Sequence, residues 1–153
     1  MLYLLGMGLG GFKLISLNVR GLSSFEKRKS ILTWCRKQKV DINFLQVTHS
    51  TIQKEKQWKA DWGGPIELVH RSSNARGVGI LFRNGLDCKI SKKVLHPLGR
   101  YLALDAKINE KKYLLVRIYA PNKDSESVKF YDHLINVFRK DDRTFEDKII
   151  FRR

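Results

Sequence analysis

An α/β fold is predicted by three observations: an opening that reads strand, helix, strand; a middle made of short β-rich segments divided by turns; and a helical period that returns near Asp124. Lys13 to Val19 reads as the first strand, closed by Gly21, Leu22 and Ser23. Ser23 and Glu26 have capping-box spacing, in which a hydroxyl accepts from a free backbone N–H and the glutamate bonds back. In the helix that follows, Phe25, Ile31, Leu32 and Cys35 line one face, and Lys27, Arg28, Lys29, Arg36 and Lys37 stay wet. The apolar run Asp41 to Gln46 forms the next strand. The opening is therefore a βαβ unit with a parallel pair.

The period then shortens. Gly64 to His70, Arg76 to Phe82, Asp87 to Val94, Tyr101 to Ile108 and Lys111 to Ile118 have the look of an antiparallel meander. Asn109 and Glu110 form the hairpin turn of the last pair. Leu102, Leu104, Ala106 and Ile108 face the core, as do Leu114, Val116 and Ile118. From Asp124 to Arg139 one stripe carries Val128, Tyr131, Ile135 and Phe138, flanked by Phe130, Leu134 and Val137, which predicts a wide buried face. A polar stretch leads to a last strand, Lys148 to Phe151. No repeat, linker or low-complexity segment divides the chain, which reads as a single α/β unit lacking its continuation.

With 153 residues, 42% hydrophobic and 29% charged, the chain can bury a core and has the length of one domain. Thirty Lys and Arg against fifteen Asp and Glu leave a formal charge of +15, which favours nucleic acid or an anionic membrane surface as partner. The basic residues are spread along the chain, so a basic protein of no particular partner is the alternative. Cys35 and Cys88 form no metal-ligand or disulfide pattern, which fits a reducing compartment, nuclear or cytoplasmic. Residues 1–12 are apolar and Gly-rich, too short to span a bilayer and without a basic leader. They are expected to lie outside the fold, a signal peptide being the alternative, with the domain running over 13–153.

Four islands occur in order: Leu14-Ile15-Ser16-Leu17-Asn18-Val19-Arg20-Gly21-Leu22, Phe44-Leu45-Gln46-Val47-Thr48-His49, Arg76-Gly77-Val78-Gly79-Ile80-Leu81-Phe82, and Gly99-Arg100-Tyr101-Leu102-Ala103-Leu104 running on to Ile118-Tyr119-Ala120-Pro121-Asn122. Together, from about Phe12 onward, they resemble the endonuclease domain of non-LTR retrotransposons, a branch of the endonuclease/exonuclease/phosphatase superfamily. The resemblance implies a four-layer α/β sandwich, two mixed sheets with outer helices, of which this chain supplies the N-terminal part, truncated before the second sheet is complete. It also implies Mg²⁺-dependent phosphodiester hydrolysis on DNA. Such chemistry needs oxygen ligands for a hard cation, an oriented water, and neutralisation of charge at phosphorus.

By the same resemblance Asn18 helps order the metal or phosphate, the Tyr119 hydroxyl points at the scissile phosphate, and Asn122 touches DNA. Taken singly, each also reads as an ordinary turn or strand-end residue. Val47 is where the chain departs from the family: the run Leu-Gln-Glu-Thr there carries the principal metal-ligand glutamate, and valine offers no oxygen. The Gly-Asp-Phe-Asn and Ser-Asp-His motifs of the family do not occur either. These departures imply a relic that binds Mg²⁺ poorly, does not cleave, and keeps weak contact with a DNA backbone. The alternatives are a non-catalytic basic nucleic-acid-binding module, or a nuclease completed by another chain.

His49, His70, His96 and His133 fit no ligand spacing and read as structural or solvent-facing. Glu55, read as part of a Lys-rich loop, is a poor substitute for the missing ligand. Gly77-Val78-Gly79 precedes no helix pattern, so it reads as strand packing rather than a phosphate loop. A truncated sandwich is also expected to expose the inner face of its first sheet and its strand edges, with marginal stability.

Overall fold

The computed structural model describes residues 2–3, 11–71, 76–139 and 147–151. Its centre is β3, Ile42–Gln46, whose five residues are all buried. A strand covered on both faces reads as a continuous apolar run, which is how this segment looks in sequence. On one side β3 pairs parallel with β2, Leu14–Asn18, and beyond it antiparallel with the short β1, Leu2–Tyr3. On the other side lie β5, Val78–Phe82, and β4, Ile66–Val69, both in antiparallel register. The first sheet therefore has the order β1-β2-β3-β5-β4.

The second sheet runs β6-β7-β8-β9, from Cys88–Leu95, Tyr101–Ile108, Lys111–Ile118 and Asp147–Phe151. Its first three strands form an antiparallel meander, but of the five segments expected to make one, β4 and β5 belong to the first sheet, where β5 pairs with β3. β9 then pairs parallel with β8, from Tyr113↔Asp147 to Arg117↔Phe151. Asn109 and Glu110 both take positive φ, 48° and 68°, as a two-residue turn matched to strand twist requires.

Three apolar layers hold these parts together. Between the sheets, Ile42, Phe44, Ile80 and Phe82 of the first meet Leu102, Leu104, Ala106, Ile108 and Leu115 of the second. Outside the first sheet, α1, Phe25–Lys37, and α2, Glu55–Trp62, bury Leu32, Cys35, Trp58 and Trp62 against Ile15, Leu17, Leu45 and Leu81. Outside the second, α3, Asp124–Arg139, lays Phe130 and Leu134 on Tyr101, Ala103, Leu114, Val116 and Ile118. β7 and β8 thus feed two cores, not one, because alternate residues point to opposite faces.

Several expectations need correction. The inner face of the first sheet is covered: Ile42, Phe44, Ile80 and Phe82 are each 0% exposed. Among the described residues no strand pairs with the outer edge of β9, where Ile150 is half exposed. Phe12 is buried in the inter-sheet core and Leu2–Tyr3 pairs with β2, so the boundary expected between residues 12 and 13 is crossed by both. The helix cap is Ser24, whose Oγ accepts from the Lys27 backbone N–H at 3.3 Å, one residue beyond Ser23. On α3, Val128 and Ile135 face solvent, so the buried stripe is narrower than its periodicity suggested.

The α2 helix stands where a Lys-rich loop was expected, and its presence overturns the reading of α1. Trp58 and Trp62, one turn apart, drive it onto the sheet, and Gly63 ends it in a left-handed turn. Because α2 carries Asp61, Arg28 is not wet: it is 1% exposed, with Nε donating to Asp61 Oδ2 at 2.7 Å and Nη1 to the Leu22 carbonyl at 3.2 Å. Its guanidinium stacks between the Phe25 and Trp58 rings. Phe25, expected in the core, is left half exposed as a lid on that stack. Removing one partner of a buried ion pair strands the other charge, so Asp61→Ala should lower unfolding stability by about 3 kcal/mol, whereas Arg28→Met should cost less. Urea denaturation compares the two; equal small losses would show that the pair contributes little.

Candidate functional site

Parallel pairing brings the C-terminal ends of β2 and β3 side by side, with Asn18 and Gln46 as register partners. The loops beyond them are laced by main-chain bonds: Val19 N–H to the Gln46 carbonyl at 3.0 Å, Gly21 to Val47 at 2.6 Å, and Leu22 to Thr48 at 2.9 Å. On the far side, Thr48 N–H donates to the Gly77 carbonyl at 3.1 Å and His49 N–H to Arg76 at 2.8 Å. Residues 47–49 therefore run as a strut between two neighbouring loops. Gly77, at φ +87°, has no room for a Cβ beside the Thr48 hydroxyl. Gly79, inside β5, is likewise packed, with a Leu68 methyl 2.8 Å from where a Cβ would stand.

The second sheet reaches the same place through Arg117. This residue lies on the inner face of β8, is 2% exposed, and donates from Nη2 to Gln46 Oε1. Burial pulls its pKa down to about 10, so the group remains a cation at neutral pH. Its Nε has no hydrogen-bond partner among the described residues, nor is there a carboxylate within ion-pair distance. Sequence reading missed this buried charge. The only signal available was an arginine at an alternate position of an otherwise apolar strand.

The expected site residues occupy this end of the sandwich unevenly. Asn18 is half-buried, and its Oδ1 accepts the Arg20 backbone N–H at 3.1 Å. Val47 is half-buried at φ +58°, a left-handed conformation rare for a β-branched residue, with a cost on the order of 1–2 kcal/mol. Tyr119 follows Arg117 by two residues, packs against the inter-sheet core, and donates its N–H to the Arg100 carbonyl at 2.6 Å. Asn122 is exposed on the link between β8 and α3.

A second polar chain braces the strut from outside. The Thr48 and Ser50 hydroxyls bond at 3.0 Å, Ser50 Oγ lies 2.9 Å from His70 Nδ1, and His70 Nε2 lies 2.8 Å from Glu55 Oε2. Lys59 Nζ closes the series 2.6 Å from Glu55 Oε1. The hydrogen bonds of Lys59 and His70 hold the Glu55 carboxyl below its ordinary pKa of 4.5. Both its oxygens are committed, and His70 is a satisfied histidine. His49 lies against Gly21, its pKa lowered by burial and then by Lys27. His96 and the α3 residue His133 meet edge to face, their ring centroids 6.2 Å apart, well removed in sequence from the strut. Cys35 is buried and Cys88 half-buried, their thiols pushed up to about 12 and 11 by burial, so neither is a ready nucleophile.

Against solved structures, the chain aligns with an endonuclease/exonuclease/phosphatase family protein from Bacteroides thetaiotaomicron at TM-score 0.61 and 13% identity, covering 83% of this chain and 59% of that one. An AP endonuclease from Archaeoglobus fulgidus gives TM-score 0.60 and 17% identity, covering 83% and 51%. The human Nocturnin catalytic domain gives 0.57 and 13%, covering 82% and 58%. This is the endonuclease/exonuclease/phosphatase fold. No family model matches the chain. In sequence, the Transposon TX1 uncharacterized 149 kDa protein of Xenopus laevis is 27% identical over 119 residues, which are 78% of this chain and 9% of that protein. The chain thus spans a small part of that relative and under two thirds of each of these solved structures.

Within this fold the residues present do not suit a tight Mg²⁺ site. Val47 has no oxygen to give, the Asn18 carbonyl is engaged by Arg20, and the Gln46 carbonyl is engaged by a buried cation that would repel a second one. Among the described residues no group of three His, Cys, Asp or Glu could hold a metal ion, and no helix is long and apolar enough to cross a membrane.

The Glu55 brace has a pH signature. Its carboxyl titrates lower in the folded than in the unfolded chain, so the stabilisation is present above pH 4.5 and is lost as pH falls through the lower folded value. Glu55→Gln should flatten this acid limb in urea midpoints measured against pH. An unchanged limb would show that the brace carries none of it.

Proposed function

We propose that this chain is a transposon-endonuclease relative that holds a nucleic-acid backbone and does not hydrolyse it with its own residues. The observation that carries the reading is Val47, set in a strained turn beside the buried Gln46 and Arg117 pair. A divalent ion that loses its carboxylate ligand and meets a guanidinium instead is disfavoured by several kcal/mol, on the order of the contact itself. Since about 1.4 kcal/mol is tenfold in rate, hydrolysis through such an ion falls by orders of magnitude.

Binding makes a smaller demand. The charge of +15 supplies an electrostatic term that needs no metal and no particular sequence, and Tyr119 and Asn122 are the contacts proposed for the phosphate path. A completed nuclease is the second reading. The open β9 edge favours it, because an edge strand is a template for further pairing by additional chain or by a partner.

Supercoiled plasmid with Mg²⁺ separates these readings. The protein and its Val47→Glu variant should both leave plasmid intact, since the variant still meets Arg117, while binding labelled DNA with affinity that falls steeply with salt. Nicking that disappears in Asn18→Ala would favour the completed nuclease; absence of any salt-sensitive binding would remove both readings.

A further inference from the structure

The α1 helix carries a stripe at the margin of its core, where Ile31 and Trp34 pack only partly against the first sheet and keep an open side. Lys27, Ser30, Ile31, Trp34 and Lys37 recur at three- and four-residue spacing, so they share one side of the helix. Along this side lie two shallow clefts. One, of about 360 Å³, runs from Asn18 and Arg20 at the end of β2 past Lys27 and Ile31 to Trp34. The other, of about 390 Å³, continues from Trp34 past Ser30 to Lys29 and Lys37. The indole is common to both. Of the three tryptophans, Trp58 and Trp62 are buried, and only Trp34 reaches the surface.

The lining is cationic and unpaired. Among the described residues, Arg20, Lys27, Lys29 and Lys37 make no ion pair; Lys27 Nζ caps the Arg20 carbonyl at 3.0 Å and Lys29 leans on the Phe25 ring. Glu26, the one acid on the helix, lines neither cleft. A solvated basic face needs no aromatic at its centre. Cations on either side of an accessible ring form the surface on which a single nucleic-acid strand lies, phosphates on the charges and a base on the ring.

We propose that the α1 stripe is a track for single-stranded DNA, entering beside Asn18 and stacking one base on Trp34. The proposal rests on the nucleic-acid binding proposed above and specifies its ligand and path. From Lys27 to Lys37 the helix rises about 15 Å, room for a few nucleotides. Duplex DNA, whose bases are stacked and paired, cannot offer a face to the indole, so the track selects unpaired strand.

Short oligo(dT) and the full chain test this. Oligo(dT) should quench the emission of the partly buried Trp34 and leave that of the two buried indoles. Trp34→Ala should weaken oligo(dT) binding about tenfold, and Trp34→Phe should retain most of it, because a ring remains. Lys27→Ala and Lys37→Ala should each lower the slope of log affinity against log salt by about 0.7, whereas Lys111→Ala, at the distant β7–β8 hairpin, should not remove a stacking-dependent contact. Unchanged affinity in Trp34→Ala, or unaltered emission at saturation, overturns the track while leaving backbone binding intact. Failure of the wild-type protein to bind either oligo(dT) or duplex overturns both.

Discussion

A guanidinium buried without a carboxylate is an expensive object, and where its two sheets join this fold places one, Arg117, that has no carboxylate partner among the described residues. Arg117 projects from β8 into the inter-sheet layer and finds the Gln46 amide oxygen at the end of β3. Apolar pairing between the sheets is forgiving of small shifts; a buried charge with one acceptor is not. The pair therefore fixes how the end of β8 meets the end of β3. Everything expected to act chemically, from Asn18 to Tyr119, is placed relative to that junction.

The same junction decides what the strand ends can do. The positive charge that Arg117 brings there is covalently held, internal and already bonded to Gln46. Beside it, Val47 presents a methylated surface from a turn that a β-branched residue enters at a cost. The strut of residues 47–49 is nonetheless held on both sides by main-chain bonds and braced by Ser50, His70 and Glu55. The strut is thus braced on two sides, while the side chains beside it, Val47, Gln46 and Arg117, offer few free oxygen donors. That combination suits a surface that positions a polyanion better than one that turns it over.

Much of the fold was legible because its strands obey simple periods. β7, β8 and α3 fall on the expected spans, and the Asn109-Glu110 turn follows from the demand for two left-handed residues. The failures share a cause: each depended on a partner distant in sequence. Arg28 reads as a solvated helix residue until Asp61 arrives from α2, and α2 itself is hidden by lysines that dilute the signal of Trp58 and Trp62. The α3 stripe looked wide because Val128 and Ile135 keep helical spacing, although they lie to one side of Phe130 and Leu134 and face solvent. At the candidate site, the islands are what single out Asn18, Val47 and Tyr119. Arg117 went unseen because nothing in the local pattern says that a lone charge in an apolar strand will be buried opposite a glutamine.

Titration with Mn²⁺, followed by the electron paramagnetic resonance of the free ion, tests most directly whether the Arg117 and Gln46 pair has displaced metal binding from this end of the sandwich. The account predicts no stoichiometric uptake at micromolar metal in the full chain. One tightly held Mn²⁺ per chain, released by Asn18→Ala, would contradict it.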